Sequence, residues 1–162
     1  MLKAAYLAGV VTAHAAARLA DGEVLPPLMG YEHLSGRSYL SEIGSDGTTT
    51  PEMTAREGLE GNEHGAVRGV LVVDGRIEFL PEVDFALLID IVEYGPVRQT
   101  MQLLLPYRHA RSPRGFALHE LSVVNFDNIA DADEAPILAR IFDGVYSLPA
   151  HVELWDKHFE KT

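Results

Sequence analysis

From Val70 to Leu105 the chain is a succession of short β-branched and apolar runs broken by Asp-Gly and Gly-Pro pairs. That pattern commits it to an antiparallel sheet. Val70 to Phe79 reads as a strand, a two-residue Asp74-Gly75 turn and a returning strand, which sets Val72 opposite Ile77 and Val70 opposite Phe79. Residues 83–94 and 97–105 form a second hairpin, and here register decides the turn length. A two-residue turn at Gly95-Pro96 would place Ile91 against Thr100 and Ile89 against Gln102. A three-residue turn aligns Ile91 with Met101, Ile89 with Leu103 and Leu87 with Leu105, so a buried face stays buried on both strands. The three-residue register is the expected one.

The flanking segments complete an α+β chain. Residues 2–20 read as a helix with Lys3, Leu7, His14 and Arg18 along one stripe and small apolar residues elsewhere, ended by Asp21-Gly22. Such a surface packs across a sheet or against a second copy. Residues 23–65, interrupted by Pro26-Pro27 and repeated glycines, hold a short strand at Arg37–Ile43. They also hold a short helix opened by a capping box at Thr49-Thr50-Pro51-Glu52 and stopped at Gly58. A long segment of this kind is where a pocket lid is expected. A further strand at 116–126 follows, then a short helix capped by Asp131 or Asp133 that carries Ile137, Leu138, Ile141 and Phe142. The tail around Val152, Leu154 and Trp155 is expected to add a strand or cover an edge. The expectation is therefore a single domain over residues 1–162. Its antiparallel sheet of about five or six mostly sequential strands packs against an N-terminal helix, with a short C-terminal helix.

Composition removes whole classes of chemistry. There is no cysteine, which excludes disulfides, thiol nucleophiles, iron–sulfur clusters and Cys-based zinc sites. A formal charge of −11 argues against nucleic acid and anionic membrane as partners. Residues 1–15 imitate a secretory signal in outline, but Arg18, Asp21 and Glu23 come too early for a membrane span of about 20 apolar residues, and a cytoplasmic location is expected. Nucleotide-binding glycine loops, a nucleophile elbow and a His-Glu-x-x-His helix are all missing. The acidic run Asp127–Glu134 has Ala132 where a calcium loop needs glycine, and suits a helix start instead.

Two groups of residues remain as candidates. Among seven histidines, His64 lies in the polar loop Gly61–Gly65 that leads into the first clear strand, and His119 alternates in phase with Ala117, Leu121 and Val123. Either could serve as a general base. No ligand spacing supports a metal, and no cofactor is expected. The second group is a basic loop. Residues 95–125 carry four arginines against Glu120, a net of +3, so the rest of the chain holds −14. Arg108, His109, Arg111 and Arg114 fall together between Tyr107 and Gly115, where guanidinium groups could clamp an anion through paired hydrogen bonds. These residues point to a small-molecule-binding domain, with a pocket between the sheet and its covering segments. In enzymatic form it would be a cofactor-independent isomerase, cyclase or lyase acting on a small anionic molecule. The alternative is a non-catalytic homo-oligomeric or adaptor protein that meets a second copy through its apolar helix, an open strand edge and the arginine loop.

Overall fold

The computed structural model describes residues 1–45, 47–80 and 83–161. Helix α1 (Leu2–Ala20) is followed by β1 (Leu28–Glu32), β2 (Ser38–Glu42) and α2 (Pro51–Gly61). Then come β3 (Arg68–Leu80), β4 (Val83–Glu93), β5 (Gln99–Arg108), β6 (Ala117–Leu118) and β7 (Ser122–Asp127). A 3₁₀ turn at Asp131–Asp133 leads into α3 (Glu134–Val145) and α4 (Pro149–His158). The strands form one antiparallel sheet in the order β2-β1-β3-β4-β5-β6, with β7 also paired to β5. This is the expected α+β architecture.

The register argued from burial holds. Ile91 pairs with Met101, Ile89 with Leu103 and Leu87 with Leu105, and all six side chains are fully buried on the face that meets α1. The Asp74-Gly75 hairpin does not form. β3 runs straight through it and pairs along β4, placing Val72 opposite Ile89 and Val70 opposite Ile91. Neither Asp74 nor Gly75 has the positive φ that such a turn requires. The carboxylate of Asp74 instead accepts a hydrogen bond from the Tyr107 hydroxyl at 2.7 Å, and Gly75 lies opposite Ala86. The expected partner Phe79 has its side chain outside the described residues.

Helix α1 is enclosed by its own chain. Ala4, Ala5, Ala8, Ala13, Ala15 and Ala16 are at most 1 % exposed, because the sheet lies on one side of the helix and α3 and α4 on the other. Of the stripe read from the sequence, Lys3 and His14 are exposed, Arg18 reaches Glu23 and Glu42, and Leu7 is buried. Two glycines set the close approach to α3. A Cβ on Gly9 would overlap the carbonyl oxygen of Ile141, and one on Gly144 the carbonyl oxygen of Tyr6. On the sheet side Gly30 of β1 plays the same part, since a Cβ there would sit 2.5 Å from a methyl of Val11. Most of the small apolar surface of α1 is thus buried within the chain, and Leu2, Lys3 and His14 are its exposed residues among those described.

Three further boundaries differ from the sequence reading. The cap of α2 is Thr50, whose hydroxyl accepts from the amide of Met53, and the helix continues past Gly58 to Gly61, where Asn62 in the left-handed region ends it. The single strand expected at 116–126 is split into β6 and β7, so His119 does not alternate with Leu121 and Val123 along one strand. The tail forms a helix, not a strand, because Pro149 starts it and nothing breaks it before His158. Helix α4 packs on β6, and past it Phe159 bridges Leu118 and the amide of Glu160 donates to the Leu118 carbonyl, so the tail covers a sheet edge, the other expectation for it.

Candidate functional site

The sheet buries one face beneath α1, while α2 covers only part of the other. Ala55 and Leu59 of α2 pack on Met29, Leu71, Val73 and Val92, which anchors the helix over β1, β3 and the near edge of β4. Past that edge lies a groove of about 680 Å³ bounded by α2, by strands β4, β5 and β7 and by the β4–β5 turn. Leu59 and Val92 contribute apolar wall, as befits a ligand site with a few placed polar groups.

The polar groups form a row dictated by register. Asp90 of β4 pairs with Gln102 of β5, and Gln102 with Asn125 of β7, so their side chains stand side by side across three strands. The Asn125 amide donates to the Gln102 oxygen at 3.3 Å, and the Gln102 amide donates to Asp90 Oδ1 at 2.6 Å. Arg56 of α2 donates to Asp90 Oδ2 at 2.7 Å and also holds Glu52. Every bond in the row therefore runs towards the Asp90 carboxylate. Burial opposes the Arg56 charge, yet Asp90 and Glu52 outweigh it and hold the guanidinium pKa above its ordinary value. A register irregularity between Gln102 and Leu103 leaves Val124 bulged outward and exposed while Asn125 stays in line.

At one end of the groove Arg98 pairs with Glu60 at 3.0 Å and lies over the Tyr94 ring at 5.6 Å. The Tyr94 hydroxyl donates to the Leu59 carbonyl, and burial pushes its pKa up to about 12. The α2 end of the groove is thereby fixed from three directions.

The residues singled out in the sequence lie elsewhere and apart. His64 is exposed and stacks flat on Tyr31 at 3.9 Å, beside Tyr39 and His33. His119 follows β6, on the far side of β3, β4 and β5 from that cluster, and is 5 % exposed. Its Nδ1 lies 3.3 Å from the Glu160 carbonyl, and its Nε2 is buried without a hydrogen-bond partner among the described residues. The two histidines do not share a site.

The arginine loop is tied to the chain's own tail. Arg108 is 6 % exposed and grips the Glu160 carboxylate through two bonds of 2.9 and 2.7 Å, with its Nε on the Gly115 carbonyl. Arg114 stands 3.7 Å from the same carboxylate, and Arg111 is exposed. His109 accepts the Arg111 amide at Nδ1 and leans on Phe85. The hydrogen bonds from Arg108 draw the Glu160 carboxyl down to a pKa of about 2. Because the folded value lies below the unfolded one, this clamp contributes fully above about pH 4.5 and is lost as pH falls towards about 2. Protection of the Glu160 amide from hydrogen exchange, taken relative to the intrinsic rate at each pH, is therefore expected to hold at pH 5 and to fall over that window. Protection that does not change across it would mean that the clamp does not hold the tail.

No family model, no curated protein and no solved structure matches this chain. Among the described residues no group of three or more His, Asp or Glu side chains is placed to hold a metal ion, and no helix is long and apolar enough to cross a membrane. Sequence reasoning passed over Arg56, Asp90, Arg98, Gln102 and Asn125. One signal was available: Asp90 stands alone in the apolar run Leu87-Leu88-Ile89-Asp90-Ile91-Val92, where a charge needs a partner.

Proposed function

We propose that the protein is a small-molecule-binding domain whose ligand lies in the groove between α2 and the open face of β4, β5 and β7. The observation that carries this reading is the hydrogen-bonded row from Asn125 through Gln102 to Asp90 and Arg56, set in the floor of a groove of about 680 Å³. Pre-oriented polar groups beside apolar wall are what recognition of a small molecule requires. The α1 side of the sheet is packed core. Helix α2, within the segment 23–65 where a lid is expected, supplies one wall of the groove. Among the described residues no histidine lines it, and the reading is one of binding, with no proton-transfer residue assigned.

A fragment screen followed by amide NMR tests this directly. Hits are expected to move the resonances of Leu59, Asp90, Gln102 and Asn125 together. If the hits cluster on the aromatic patch around Tyr31 and His64, or on the Arg108 loop, the groove is not the site.

A further inference from the structure

We infer that the groove is selective for cations: its ligand presents a protonated amine or amidine to Asp90 and lays an apolar body along Leu59 and Val92. This rests on the reading of the groove as a ligand site and specifies what enters it.

The argument begins with the direction of the hydrogen bonds. Gln102 and Arg56 both donate to Asp90, one to each oxygen, and a carboxylate oxygen has room for two donors. What the row still offers at its centre is therefore acceptor capacity. Its side chain is 15 % exposed, so the carboxylate is largely desolvated yet reachable from the groove. Charge balance points the same way. The lining holds Arg56 and Arg98 against Glu57, Glu60 and Asp90, a net of −1, within a chain of −11. Both guanidiniums are already engaged, Arg56 by Glu52 and Asp90 and Arg98 by Glu60. An anion would have to displace carboxylates of the protein itself, whereas a cation brings a donor to a carboxylate that has room for one. Arg56, 36 % exposed in its side chain, then acts as the competitor that an incoming ammonium partly replaces.

Calorimetric titration of the intact chain with phenethylammonium, hydrocinnamate and phenethyl alcohol separates the possibilities, with amide NMR to locate each probe. The amine is expected to bind at the groove and to be preferred over the other two. Asp90→Asn should weaken it by at least about tenfold, the size of a lost charge-assisted hydrogen bond. Arg56→Gln should tighten it, because the internal competitor is gone. A loss of fold would weaken binding in both variants, so their opposite signs identify the interaction. If hydrocinnamate binds the groove better than the amine, or if Arg56→Gln weakens the amine as Asp90→Asn does while both variants keep the parental amide spectrum and melting temperature, cation selectivity is wrong while the groove remains a site. If none of the three perturbs the groove residues at concentrations that saturate a weak fragment, the groove reading falls as well.

Discussion

Replacing Gly144 with alanine is expected to lower the melting temperature by about 6–12 °C, corresponding to about 3 kcal/mol for a chain of this size. The added methyl has nowhere to go. It would lie 2.1 Å from the Tyr6 carbonyl oxygen of α1 and 3.0 Å from the Gly9 Cα, so backbone and not a pliable side chain must move. Moving α1 away from α3 would press it into the sheet, where Val11 already rests on Gly30. Intrinsic helix propensity acts in the opposite sense, since alanine in place of glycine stabilises an exposed helix by about 1 kcal/mol. The sign of the change is thus diagnostic. A melting temperature equal to or above that of the parent would show that the two helices are free to separate.

Arg68→Met is expected to cost about 3 kcal/mol, seen as a lower midpoint of urea unfolding at unchanged slope. Arg68 is paired in register with Glu32 of β1 on one side and Glu93 of β4 on the other, and its guanidinium reaches both carboxylates. Its side chain is 11 % exposed, and those of Glu32 and Glu93 are 21 % and 19 % exposed, so removing the cation leaves two largely desolvated carboxylates near each other, with only the N-terminal ammonium, 3.8 Å from Glu93, to offset them. Most of the loss should come from those under-compensated charges and not from the missing bond. Changing Glu32 and Glu93 to Gln in the Arg68→Met background should therefore restore a large part of the stability. If the triple variant is no better than the single one, packing of the arginine stem is the cause instead.

The central sheet was legible because its information is local and redundant. Ile89, Ile91, Met101 and Leu103 have one burial-consistent alignment, and that alignment is the one found. The Asp74-Gly75 pair misled for the complementary reason. A two-residue turn signal competes with thirteen residues of continuous β3, and pairing with β4 outweighs it. Strand β1 was hidden by Pro26-Pro27 and by Gly30, which is glycine because α1 lies on it, a fact visible only in three dimensions. The site was less legible still. Histidines and loop arginines attract attention by type, yet Arg108 is matched by Glu160, a residue 52 positions away. The groove is assembled from α2, two central strands and an edge strand, none of which carries a recognisable motif. Its one trace was the solitary Asp90, and the register already in hand places Gln102 beside it.

The crossing of Gly9 with Gly144 also bears on time. It joins segments about 135 residues apart, and contacts of such separation close late, after the sheet has assembled from strands adjacent in the sequence. An interaction made after the folding barrier leaves the forward rate nearly untouched and sets the reverse one. In stopped-flow measurements the Gly144→Ala chain should therefore refold at close to the parental rate and unfold faster. Two hydrogen atoms in place of two methyl groups then govern how long the native state lasts, while the sheet governs how soon it is reached.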